Sequence, residues 1–481
     1  MSTHLPTRRL IAVGILGAIV AGDLVAQRGR RGFRRPRPGT TTNTPPPAPK
    51  AEKKDIKNYT AITGGTVYVG TGQVIHRATV LLGDSKIIKI GPGIEIPEKA
   101  KVIDATGKYV SPGFVIVAAR GMGSGSTSDN PADSVNPFDP QMKMGLAAGI
   151  TSFLSSGGSG NSTPGGTSAV FKCAYGDLKG MVLMHGNVLK MSVPLTMAKM
   201  KSFRDLVAKV VKYKAEKDAY DAKAAASGNR ENPTRGRTTG RPPSGGTGGR
   251  PTGGTTGRAA RRGGGAPKPP SGTENILKIM DGKAKLWIRC ARGFDNDRIR
   301  QAMTIAKLLG VGVVLEDPTT GWSIPEEIAA TGSMVVLTPR ANVAPDPADP
   351  DHTGSNIAMA KILSDVGVPV AVHPPSGRFG GGGIGTGGIL GQDLNTPHID
   401  AAFAIRGGLD KRKALRTITL DAAKMMGAET RIGSLEEGKD ADVLILDGKP
   451  LHYRTFVETA IVNGKVVYEK DKEPFYRHIK R

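Results

Sequence analysis

The feature that most constrains the fold is a change of rhythm along the chain. Short β-runs at both ends enclose a long middle in which β-runs alternate with helical ones. Near the amino end, 61–69, 78–82 and 86–90 are β-rich and parted by Gly and Asp-Ser turns, the pattern of a small antiparallel sheet. Near the carboxyl end, 438–447 and 460–468 have the same character, and Asn463-Gly464 marks a hairpin turn. The middle offers strands at 113–117, 150–154, 170–172, 181–184, 286–290, 311–315, 334–337 and 368–372. Helical patterns lie at 140–148, 297–309, 356–365 and 411–426. Such alternation argues for parallel βα units. The expected fold is therefore α/β: a (β/α)8 TIM-like barrel over 112–429, with a small β-sandwich built from both chain ends, 58–111 and 430–470.

The 481 residues suffice for one large domain with a satellite. The net charge of +25 would suggest a nucleic-acid partner if it were spread over a folded surface. It is not: residues 1–50 and 227–273 carry +8 each, leaving +9 for the remainder. Both segments are rich in Gly, Pro and Arg and offer almost no aromatic side chain on which a base could stack, which argues against nucleic acid. Residues 227–273 read as a disordered insert within the barrel, and 27–57 as a basic, Pro-rich linker. Residues 1–26 read as a secretory signal, with Arg8 and Arg9 ahead of an apolar run over 10–22 and a small-residue end at Ala26. That implies export, to a periplasm or the outside. No membrane span is expected after its removal, since no other segment is apolar for long enough. Cys173 and Cys290 are expected to be buried, unpaired thiols.

Residues 102–120 carry the chemistry-bearing resemblance. Asp104, Gly107, Pro112 and Gly113 lead into Phe114-Val-Ile-Val-Ala-Ala-Arg120. This resembles the entry of amidohydrolase-superfamily barrels, a run ending P-G-[LF]-[IV]-D-x-H-x-H. The segments 414–427 and 431–442 are similar to the closing helix and return strand of the imidazolonepropionase-like branch. The resemblance covers about 60 to 470 and implies a hydrolase of non-peptide C–N bonds that uses zinc or another divalent metal.

It also implies metal ligands at strand ends, and here the chain departs from the pattern. Ile116 stands at the aspartate position, Ala118 and Arg120 at the two histidine positions. Where a strand-4 lysine or acid is usual, His185 and Asn187 are the nearest polar residues. The histidine-bearing segment of strand 5 becomes Ile288-Arg-Cys-Ala-Arg292. At strand 6, Asp317 takes the histidine position after Glu316, and the strand-8 aspartate falls at Pro375. Metal-activated water needs three or four converging donors, so no metal cofactor is expected.

Candidate ligand-binding residues are Arg120, Arg289, Arg292 and His185. The arginines are read either as an anion-binding mouth or as cations paired with Glu316 and Asp317. Asp317 and His373 are the candidate catalytic groups, His373 as a general base. The glycine-rich run 379–388 is read as an anion-holding loop or a plain linker. The loop 155–167 resembles one that ends in a Gly-Gly turn over the barrel mouth. Two functional readings stay open: a pseudoenzyme that binds a small anionic ligand or a partner, and an active hydrolase with a displaced site. Self-association is left open.

Overall fold

The computed structural model describes residues 56–120, 122–123, 131–156, 158–160, 162–226, 266–290, 296–373, 384–385, 397–474 and 476–479. The expected signal, nearly all of the linker, most of the insert, Arg292, Pro375 and the glycine-rich run apart from 384–385 lie outside them.

The first three strands, β1 (Tyr59–Tyr68), β2 (Val74–Gly83) and β3 (Lys86–Gly91), form an antiparallel ladder. Breaks of register near Ile62, Gly65 and Val67 bend β1. Its first half therefore pairs in parallel with β4 (Lys101–Asp104) and its second half with β5 (Tyr109–Pro112).

The barrel follows in chain order. It comprises β6 (Phe114–Ile116), β7 (Ala119–Arg120), α1 (Pro140–Ala147), β8 (Ile150–Ser156), β9 (Ser168–Lys172), α2 (Leu178–Met181), β10 (Val182–His185) and β11 (Val188–Ser192). Next come α3 (Met197–Ala226), α4 (Glu274–Met280), β12 (Lys285–Arg289), α5 (Asp297–Leu309), β13 (Val314–Glu316), α6 (Pro325–Ala329), β14 (Met334–Leu337) and α7 (Met359–Asp365). It ends with β15 (Val370–Val372), β16 (Ile384–Gly385), α8 (Pro397–Arg406), α9 (Lys411–Arg416) and α10 (Leu420–Met425). In α5 the buried residues Ile299, Ala302, Met303, Ala306 and Leu309 recur at helical spacing, so one stripe faces the strands.

Strands β11 to β15 pair in parallel and in sequence order, and β6 pairs in parallel with β8. The two sets meet where Gly160 bridges Met191. On the other side, the amides of Val115 and Val372 donate to the carbonyls of Ile418 and Thr417, so the turn between α9 and α10 fills the seam between β6 and β15.

Two expected strands take other roles. The 170–172 run belongs to β9, which is antiparallel to β8, and 181–184 falls in β10, antiparallel to β9. The link over 157–167 is too short for a helical crossover, which takes a dozen or more residues, so the chain must turn back on itself. The parallel strand before β12 is instead β11, which the sequence reading passed over.

The carboxyl-terminal strands β17 (Val443–Leu446), β18 (Val457–Val462) and β19 (Lys465–Glu469) return to the first sheet. There β17 pairs antiparallel with β5, so both chain ends build one β unit, as expected. The β18–β19 turn places Asn463 and Gly464 at φ +51° and +75°, and a Cβ on Gly464 would lie 1.8 Å from the Asp84 carbonyl oxygen. Glycine is required there.

Candidate functional site

The barrel interior begins with an apolar layer. Val115, Val188, Trp287, Val314, Val336 and Ala371 pack inward against Ala422, Ala423 and Met425 of α10 and Met426, which caps it. The indole N–H of Trp287 donates to the Met425 carbonyl at 3.0 Å. This closes the barrel at the amino ends of its strands. Because strand side chains repeat every two residues, the next inward layer toward the carboxyl ends is Lys190, Arg289, Glu316, Thr338 and His373. A chain with apolar residues at 188, 287, 314, 336 and 371 thus presents polar ones at the mouth, where barrels of this kind keep their sites.

Two couples form in that layer. The Lys190 ammonium sits 3.5 Å from Glu316 Oε2 and 4.8 Å from the centre of the Trp287 ring. His373, which is buried, lies with Nε2 3.1 Å from Asp317 Oδ1. The Thr338 hydroxyl donates to the same oxygen at 3.3 Å and is 3.4 Å from the His373 ring nitrogen. Glu316 and Asp317 are adjacent, yet both serve the mouth. Asp317 adopts φ +52°, which turns the chain out of β13, while its amide still donates to Val336 at 2.9 Å. That conformation costs on the order of 1 kcal/mol for a residue other than glycine. Burial pushes the Asp317 carboxyl up, but His373, Thr338 and Arg289 outweigh it and hold it below the usual carboxylate range.

A cavity of about 220 Å³ opens beside these groups. Arg289, Asp317 and Thr338 line it together with Asn342, Asn356 and Met359. Arg289 has no carboxylate within 4 Å among the described residues, and its buried Nε lacks a hydrogen-bond partner. The expected pairing of Arg289 with Glu316 and Asp317 is therefore not formed: Glu316 meets Lys190 and Asp317 meets His373. The loop over 158–167 rests on β11, where Gly160 and Gly165 each donate a backbone N–H to the Lys190 carbonyl. A Cβ on Gly160 would meet the Thr163 oxygen at 1.9 Å, so only glycine fits.

The other candidates are placed elsewhere. His185 is exposed at the end of β10, before the start of β11, and so lies at the amino end of the parallel strands, away from Asp317 and His373. Asn187, also at that end, is buried and donates its amide to the Met426 carbonyl. Arg120 closes β7, in register with Gly385 of β16. Both cysteines are buried and unpaired, and burial pushes each thiol up, which leaves them inert. The sequence reading missed Lys190 and Thr338. A lone lysine in the apolar run 188–192, and a threonine two residues past Val336, were the available signals.

A profile of the amidohydrolase family matches residues 390–468. An imidazolonepropionase of Thermoplasma volcanium is 27% identical over 161 residues, covering 31% of this chain and 33% of that protein. Another, from Syntrophobacter fumaroxidans, is 34% identical over 92 residues, 19% of each chain. The crystal structure of an amidohydrolase from Thermotoga maritima superposes with a TM-score of 0.59 at 22% identity, covering 85% of this chain and 99% of that one. The family likeness covers residues 390–468, and the superposition shows an amidohydrolase-type fold over most of the chain. Its matches span less than half the length of those imidazolonepropionases.

The superfamily resemblance implies a divalent ion at the mouth, so the donors there must be tested against one. Among the described residues no group of three or more His, Cys, Asp or Glu is placed to hold a metal. Asp317 and His373 bond each other, and Glu316 faces Lys190. A divalent transition metal takes three or four protein donors, and the Arg289 and Lys190 cations oppose it. The described donor set does not fit.

Proposed function

We propose that this chain is an exported binding protein on a hydrolase scaffold, which takes a small anionic ligand at the barrel mouth without metal-dependent hydrolysis. One observation carries the reading: Arg289, which forms no ion pair among the described residues, lines a cavity with the neutral Thr338, Asn342 and Asn356, and the one lining carboxylate, Asp317, is bonded to His373. A small carboxylate would pair with Arg289, and the neutral groups would fix its orientation. The coupled Asp317–His373 pair would limit its depth. Residues 1–26 support export by their charged start and apolar core.

The same pair favours a second reading. A buried histidine 3.1 Å from a carboxylate could act as a general base in a metal-free hydrolase of C–N bonds. Two measurements separate the readings. Calorimetry with a series of small mono- and dicarboxylates should show saturable binding that Arg289→Met abolishes. Elemental analysis after dialysis should find no stoichiometric metal. Retained zinc, manganese or iron, or turnover of a cyclic amide that His373→Asn abolishes, would overturn the binding-protein reading.

A further inference from the structure

A second cavity of about 420 Å³ lies at the opposite end of the barrel, where β15 begins. Its floor is apolar, formed by Val368, Pro369, Val370 and Leu409. Its rim is cationic: Arg412, Lys413, Arg416 and Lys424 face Asp421 as the lining carboxylate. Arg416 holds Asp421 with two hydrogen bonds, of 3.1 and 2.7 Å, and also donates to the Thr71 carbonyl at 3.3 Å. That pair is neutral and largely buried, and it serves as scaffold. Three cations remain. Lys424 stands 3.7 Å from Asp421, whose charge Arg416 has already met. Lys413 donates to the Ser364 hydroxyl at 3.0 Å, and the nearby Asp365, which also feels it, is already paired with Lys361. Arg412 and Lys413 have no carboxylate within 4 Å among the described residues. The Asp410 carboxylate caps α9, accepting from the backbone amides of Arg412 and Lys413 and forming no ion pair with their side chains.

We propose that this basin binds a small organic phosphate, with the phosphoryl group between Arg412, Lys413 and Lys424 and the organic part on the apolar floor. A carboxylate carries one charge and two oxygens. A phosphoryl group carries about −1.5 to −2 near neutral pH and three acceptor oxygens, which matches three cationic donors around one cavity. The apolar floor favours a phosphomonoester over inorganic phosphate, since the ion alone would leave that surface wet. The site lies apart from Arg289 and is independent of what happens at the mouth.

The test uses the full chain and phenyl phosphate as the probe, read by calorimetry at low ionic strength. Saturable binding is expected, weaker for inorganic phosphate and falling as salt rises. Arg412→Ala, which breaks no ion pair, should weaken it roughly tenfold, and the pair Arg412→Ala with Lys413→Ala more than that. Arg289→Met should leave it unchanged. An unaltered melting temperature for Arg412→Ala shows that the loss is local. Unchanged affinity in the double variant, no saturable binding at millimolar probe, or tighter binding of succinate than of phenyl phosphate would overturn the assignment.

Discussion

At the end of the barrel that meets the β-sandwich, Lys172 is 1% exposed and fully engaged. Its ammonium reaches Asp440 at 2.6 Å, Asp442 at 2.9 Å and Asn463 at 2.7 Å. Asp440 in turn accepts from Lys86 at 2.6 Å and Arg431 at 2.7 Å. At the mouth, Arg289 has no such partner among the described residues, and Glu316 sits a loose 3.5 Å from Lys190. One chain thus handles buried charge in two ways. Where charge joins barrel to sandwich, every donor meets an acceptor, as a buried ion pair requires to offset its desolvation. Where a cavity opens, a cation is left for something else to meet.

The largest effect should come from breaking the saturated end. Lys172→Met would leave Asp440 and Asp442 buried with reduced compensation, at a cost of about 3–5 kcal/mol in urea unfolding. A loss below 1 kcal/mol would mean that Lys86 and Arg431 suffice, and the contrast between the two ends would collapse.

At the mouth, Asp317→Ala removes the acceptor shared by His373 and Thr338. We expect a loss of about 1–3 kcal/mol, the usual range for stranding buried polar groups. The acid side sharpens the comparison, because both ends contain a depressed carboxyl. Burial raises Asp440, but Lys172, Lys86 and Arg431 outweigh it, as His373 outweighs burial at Asp317. A depressed folded value contributes stability above the unfolded one, near 3.8, and that contribution is lost as pH falls through the folded one. Both limbs therefore lie below pH 3.8. In melting curves, Lys172→Met should flatten the acid limb of one end and Asp317→Ala that of the other, each alone.

His398 separates from both. Burial pushes it down to about 4 from an ordinary 6.5. Between those values the unfolded chain binds a proton that the folded one does not, so stability should fall as pH drops from 6.5 to 4. His398→Phe should remove that limb and leave the one below 3.8 intact. The smallest stability change belongs to Arg289→Met, under about 1 kcal/mol because no ion pair breaks. Its effect should appear in carboxylate binding. A larger loss of stability would show that Arg289 is a structural cation after all, and the mouth would then resemble the saturated end.

Much of the fold was legible because it rests on local pattern. The Asn463-Gly464 turn, the β-runs at both ends and the βα rhythm each follow from side-chain spacing. The residue types at 118 and 120 could be read directly, but 185 was the wrong position, because the parallel strand before β12 is β11 and its inward polar residue is Lys190. The error at 181–184 came from counting strands without asking whether 157–167 could cross over. Lys190 was missed for the same reason, since a residue joins the inner layer only once its strand has been placed.

The sequence by itself determined which residues are apolar, where strands and helices recur, and which residue types stand at 118, 120 and 317. Tertiary structure alone decided how the remaining charges pair. Lys172 and Asp440 are far apart along the chain, as are Lys190 and Glu316, and no local pattern records a contact between such residues. Pairing depends on distance and burial, and both are fixed only when strands from separate parts of the chain close around a common axis.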